Sequence, residues 1–178
     1  MSRDQSAFSL IELLTALSVL SLLTVCAIPS LTTLYQENRL TTRIQAFTDS
    51  LLLTRSEAVK RHQRVLMCPS TDQTRCVAGG TWPFAWMVFV DQNEDGGFTA
   101  GETIIRAFEE QDKHVSLTSS RTTPIAFYSH GRSAGSNATF IFCDSRGSAA
   151  ARAVILNNSG RFRISRTESD GGKFACSE

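Results

Sequence analysis

A short polar leader opens the chain, and an apolar run follows from Phe8 to Leu31, 24 residues interrupted by one carboxylate, Glu12. A helix rises about 1.5 Å per residue, so this run is long enough to cross a hydrocarbon core of roughly 30 Å. Beyond it the pattern becomes periodic. Leu40, Ile44, Phe47, Leu51 and Ala58 recur at steps of three or four residues before a longer step, and Arg43, Asp49, Arg55 and Glu57 interleave with them. That spacing lays one apolar stripe along an amphipathic helix. One long helix is therefore predicted from about Phe8 to His62. Pro29 should kink it without ending it, because proline removes one backbone donor and crowds the preceding turn. The basic run Lys60, Arg61, His62 and Arg64 falls where cations complement a helix C-terminus, which is a structural role.

From Arg64 onward the period shortens. "RVLMC", "FAWMVFV", "TIIRAF", "HVSLT", "PIAFY", "ATFIFC", "ARAVILN" and "RFRIS" are eight strand candidates, rich in β-branched and aromatic residues and separated by turn formers. One long helix followed by strands gives an α+β fold: a transmembrane-plus-amphipathic helix packed on an antiparallel β-sandwich.

Charge refines this picture locally. The 178 residues carry a formal net charge of +1, but residues 91–113 hold seven acids against two bases, and residues 114–178 hold eight bases against four acids. The C-terminal third is basic enough to need a reason. No internal repeat or low-complexity segment is present.

Glu12 decides among readings of the N-terminus. A secretory signal peptide would have a shorter apolar region without a carboxylate in it. A lipoprotein reading through Cys26 puts Val25 where a small residue belongs. A plain anchor leaves a carboxylate that costs about 2.5 kcal/mol or more inside a bilayer unless it is paired. "AFSLIELL", with its polar leader, long apolar run and late Pro29, resembles the class III leader of type IV pilins and pseudopilins. The resemblance implies that a prepilin peptidase cuts between Ala7 and Phe8 and methylates the new amine. It also implies that Glu12 pairs with the N-terminal amine of a neighbouring subunit during assembly. The pattern usually has Gly where this chain has Ala7, which is still small.

"MCPSTDQTRC", "WMVFVDQNEDGGFTAGETIIR" and "ILNNSGRFRI" extend the resemblance to the soluble domain of the GspH/FimT group of minor pilins. The implied organisation is a removed leader at 1–7, a transmembrane and filament-assembly segment at 8–31, a soluble amphipathic half-helix at 32–63 and a periplasmic β domain at 64–178. The implied location is the inner membrane, single-pass with the C-terminal domain in the periplasm, and extracellular once built into a pilus. Partners would be prepilin peptidase and other major and minor pilins, with no cofactor required.

Cys26 lies in the apolar run and reads as a small apolar residue. Cys68, Cys76, Cys143 and Cys176 would face the periplasm, where disulfides persist. Four cysteines allow three connectivities. The favoured one joins Cys68 to Cys76, closing a short polar loop, and Cys143 to Cys176, pinning the tail. No CxxC pair supports zinc.

"DQNEDGGFTAGE" matches the calcium-binding EF-hand loop pattern, with Asp91, Asn93, Asp95 and Glu102 as the oxygen ligands a calcium ion would take and Gly96 at the sharp turn. Its flanks read as strands, so a hairpin loop whose Asx and Gly residues only make turns explains the same letters. "GRSAG" matches a nucleophile elbow at Ser133, but a strand follows it and the last histidine, His130, precedes it. No catalytic activity is expected.

In "NNSGRFRISR" turn letters open a strand whose alternation sets Arg161, Arg163 and Ser165 opposite Phe162 and Ile164. Arg166 and Lys173 follow, and Arg146 and Arg152 precede. "GRFR" matches a GRxR signature of FimT-type DNA-binding competence pilins. The implied function is a minor type IV pilin that contacts DNA phosphates during natural transformation. The alternatives are a solvated arginine face on a purely structural minor pilin, or a type II secretion pseudopilin that primes filament assembly.

Overall fold

A computed structural model describes residues 9–77, 82, 85–109 and 114–176, with the side chains of 25–29 outside that description. Among the described residues one α-helix, α1 (Leu10–Arg61), precedes eight strands. These are β1 (Val65–Pro69), β2 (Trp86–Val90), β3 (Ile104–Phe108), β4 (Ser116–Ser119), β5 (Ile125–Phe127), β6 (Ala138–Cys143), β7 (Arg152–Leu156) and β8 (Phe162–Ser165). Each falls on one of the eight apolar runs. The fold is α+β, with two four-stranded antiparallel sheets ordered β3-β2-β1-β5 and β4-β6-β7-β8.

The chain divides into two compact units, residues 1–38 and 39–178. In the first, Ser9 accepts from the backbone N–H of Glu12 and Leu13 at the head of α1, and Glu12 lies in its first turn. Leu10, Ile11, Leu13, Leu14, Leu17, Leu20 and Leu23 are all exposed, so the apolar surface goes round the helix. Among the described residues no helix is long and apolar enough to cross a membrane. Phe8 and the side chains of 25–29, which complete the expected 8–31 span, lie outside them, as does the side chain of Pro29, on which the expected kink turns.

In the second unit the stripe on α1 meets both sheets. Leu40, Ile44, Phe47, Leu51 and Ala58 are buried together with Met67, Trp86, Val88 and Phe127 of one sheet and Phe140, Phe142, Val154 and Leu156 of the other. Phe47 is the hub, with ring centroids 5.7 Å from Trp82, 5.4 Å from Trp86, 4.7 Å from Phe140 and 5.5 Å from Phe142. Trp86 donates its indole N–H to Ser50 Oγ at 2.8 Å, which satisfies a buried donor. Arg43 corrects the interleaved-charge reading: it is 4 % exposed, with its guanidinium 4.7 Å from the Trp86 ring. Position 43 lies one turn from 40 and 47, inside the stripe, and the aromatic face makes burial of its charge tolerable.

The outer face of each sheet carries a smaller cluster around a disulfide. Cys68–Cys76, with Cα atoms 5.6 Å apart, sits with Leu66, Met87 and Phe89; Cys143–Cys176, at 5.9 Å, sits with Ala153 and Phe174. The second bridge ties the C-terminal tail to β6 across 33 residues of sequence.

Candidate nucleic-acid interface

The basic edge is built from a turn. Asn157 Oδ1 accepts from the backbone N–H groups of Ser159 and Arg161 and from Ser159 Oγ, and Gly160 N–H donates back to Asn157 O at 2.9 Å. Gly160 takes φ +77°, and a Cβ there would stand 2.5 Å from the Gly131 carbonyl oxygen. Both the backbone conformation and the close approach demand glycine. Arg55 of α1 donates to Gly160 O at 3.3 Å, and Asn158 O accepts from Ser133 N–H. The start of β8 is therefore fixed from three sides before its arginines project. Arg55 and Gly131 are supports that sequence reading missed, because neither is near Gly160 in the chain.

Arg161 and Arg163 are exposed and separated by one residue, roughly 7 Å along an extended strand. β8 forms the edge of its sheet among the described residues and pairs with β7 from Ala153↔Ser165 to Leu156↔Phe162, with Ile155 opposite Arg163. Phe162 packs against the main core as expected, whereas Ile164 is 51 % exposed. The core ends before the end of this edge strand, so alternation alone overstates its burial.

The predicted patch does not form one face. Continued by one step, the register Ala153↔Ser165 brings Arg152 opposite Arg166, three positions from Arg163 and therefore on the other phase of the strand. Burial, and after it the charge of Arg166, hold the Arg152 guanidinium below its usual pKa, so these two cations feel each other. Lys173 is exposed and returns beside the strand through the Thr167↔Lys173 bridge, on the tail that Cys176 anchors. Arg146 has a different job. Its guanidinium donates to both carboxylate oxygens of Asp144, at 2.6 to 3.1 Å, in the turn after β6. Burial opposes ionisation of Asp144, but the hydrogen bonds and charge of Arg146 outweigh it and hold the carboxyl below its usual range. Arg161, Arg163, Arg166 and Lys173 make no ion pair among the described residues.

The other singled-out residues add no cation to this edge. Ala7 and Phe8 lie outside the described residues. Ser133 is fully buried in the loop between β5 and β6, not on a strand-to-helix elbow, and His130 stacks on Tyr128. The loop with Asp91, Asn93, Asp95 and Glu102 connects β2 to β3, and no group of three or more His, Cys, Asp or Glu side chains there or elsewhere among the described residues is gathered to hold a metal ion.

A long N-terminal helix whose second half closes the core of two antiparallel sheets, behind an apolar segment headed by Glu12, defines a pilin-like subunit of the minor pilin or pseudopilin class. The family model described as type II transport protein GspH matches residues 43–160, and the prokaryotic N-terminal methylation motif matches residues 2–25. The chain belongs to the GspH family. The family match ends at Gly160, so it rests on the scaffold and stops short of Arg161 and Arg163. No curated protein matches the sequence. Among solved structures, the fold is similar to the type IV minor pilin FimU of Pseudomonas aeruginosa. In one crystal form the TM-score is 0.56 at 16% identity, over 80% of this chain and 98% of that one. In another it is 0.54 at 15%, over 77% and 99%. At such identity the likeness is one of fold.

Proposed function

We propose that this chain is a minor type IV pilin that binds DNA without sequence preference during natural transformation. Cleavage between Ala7 and Phe8 exposes the amine that Glu12 of a neighbouring subunit pairs with in the filament. Arg161, Arg163, Arg166 and Lys173 contact phosphates, with Arg152 behind Arg166; Arg146 is committed to Asp144 and drops out of the contact set. The observation that supports this most is the edge strand: its cations are exposed and held by no carboxylate among the described residues, on a start fixed by Gly160 and Asn157. Exposed arginines are a weak source of fold stability, but each can displace counterions from a phosphate backbone. Affinity of one chain is expected in the roughly micromolar or weaker range of nonspecific contacts, so several subunits would act together. No catalytic step enters this reading.

Fluorescence anisotropy of the full chain in detergent micelles, titrated with DNA at several salt concentrations, tests it. Replacing Arg161 and Arg163 with Gln together should weaken binding to all sequences alike and lower the salt slope by roughly two, one per lost phosphate contact. Unchanged affinity in the folded double variant would remove DNA from the account. A second reading, favoured by the description of the matched family, would then hold: a structural pseudopilin of type II secretion that primes filament assembly.

A further inference from the structure

Loop 91–102 has no part in the reading above. Asp91 follows β2, and its backbone N–H donates to the Arg64 carbonyl at 3.0 Å. Its side chain is 0% exposed. Oδ2 accepts from Gly96 N–H at 3.2 Å and faces Arg64 Nη1 at 3.2 Å. Oδ1 is buried with no hydrogen-bond partner. Burial pushes this carboxyl above its usual pKa, and the charge of Arg64 and the Gly96 N–H only partly counter it. The ionised form therefore lacks a partner that it needs.

The remaining oxygen-bearing side chains of the loop accept from its own backbone. Asn93 Oδ1 accepts from Asp95 N–H, Asp95 Oδ1 accepts from Gly97 N–H, and the two oxygens of Glu102 accept from Gln92 and Thr99 N–H. Gly96, at φ +83°, makes the sharp turn beneath them, and a Cβ there would stand 3.3 Å from Arg64 Nη2. Arg64 also donates to Glu94 O at 2.9 Å. The loop holds four carboxylates, Asp91, Glu94, Asp95 and Glu102, and Arg64 pairs with that of Asp91, so the loop is left net negative.

We propose that loop 91–102 binds a calcium ion, with Asp91 Oδ1 as the buried ligand atom and Asn93, Asp95 and Glu102 supplying the other side-chain oxygens. The donors are all oxygen, which selects a hard cation, and the loop's backbone carbonyls can add to its side chains toward the six to eight ligands calcium takes. The acidic groups do not already stand as a cage, so binding draws Asp95 and Glu102 off backbone N–H groups. Arg64 keeps the loop closed from the β1 side, and a divalent charge takes over its partnership with Asp91. The ion would then tie the end of β2 to the edge strand β3.

Titration calorimetry on the full chain in detergent micelles, with calcium chloride and then magnesium chloride, decides the matter. One calcium should bind per chain, magnesium should bind markedly less tightly, and the melting temperature should rise with calcium. Asp95→Asn and Glu102→Gln should each weaken calcium by about tenfold or more while leaving the calcium-free melting temperature near that of the parent. Asp95 is exposed, so its variant keeps the test open if Glu102→Gln folds poorly. Absence of calcium heat up to millimolar concentration, equal affinity for magnesium, or unaltered affinity in a folded Asp95→Asn variant would each overturn the proposal. DNA binding is not among the readouts, so this site and the arginine edge fail independently.

Discussion

The two halves of α1 are written in similar letters and finished in opposite ways. Leu51, in the second half, is 1% exposed under both sheets, whereas Leu14, in the first, is 52% exposed on a helix that is apolar on all sides. Leucine is an equally good helix former in both places, so propensity does not separate them. The difference is the covering surface. From Leu40 to Ala58 the chain supplies its own, with Phe47 filling the junction of two sheets. From Leu10 to Thr24 it supplies none among the described residues, and the methylation motif at 2–25 implies membrane anchoring and pilus assembly as what completes it. A helix can thus be fully specified as a helix while half of its environment is left to other molecules.

Identical truncations in the two halves put this contrast at risk. Leu51→Ala should cost about 2–5 kcal/mol, the range for a buried leucine whose cavity only partly collapses. Denaturant unfolding of the full chain in micelles, followed by tryptophan fluorescence, measures it; a cost below about 1 kcal/mol would mean that the second half is less well covered than the packing implies.

Ser50→Ala should have an intermediate effect. It leaves the buried Trp86 indole N–H without its acceptor, a loss of about 1–3 kcal/mol, and alanine recovers up to about 0.5 kcal/mol as the better helix former. Net destabilisation in the same unfolding assay is expected, and a stabilised variant would show that the Ser50 hydroxyl is not what satisfies the indole.

The smallest effects on folding belong to the first half. Leu14→Ala and Glu12→Ala should each change unfolding of the 39–178 unit by less than about 0.5 kcal/mol, since both sites are exposed. Glu12→Ala should nevertheless abolish incorporation into filaments, scored by its absence from sheared pili. Normal incorporation would remove the assembly role from that carboxylate, and a large unfolding penalty at Leu14 would erase the contrast.

Much of this was readable from the letters. Period-3.6 and period-2 patterns located α1 and all eight strands, because both report local geometry. Arg43 was misread for the same reason: a polar residue inside a stripe looks like an outward one until Trp86, 43 residues later, comes to lie against it. The arginine cluster was legible as charge and not as shape. Its division between Arg161 and Arg163 on one phase and Arg152 and Arg166 on the other follows from the β7–β8 register.

By itself the sequence determined the helix, the strands, the apolar run with its single carboxylate, the glycine-bearing turn before Arg161 and the oxygen-rich loop at 91–102, since each depends on neighbours within a few residues. Only the tertiary structure decided that β1 pairs with β5 across the chain, that β4 leaves its predecessors for the second sheet, and that Arg55 and Gly131 brace Gly160. It alone set Arg64 against Asp91 while leaving Oδ1 of that buried carboxylate without a partner. These are contacts between distant segments, chosen by how one core buries three apolar surfaces at once, and no local period encodes that choice.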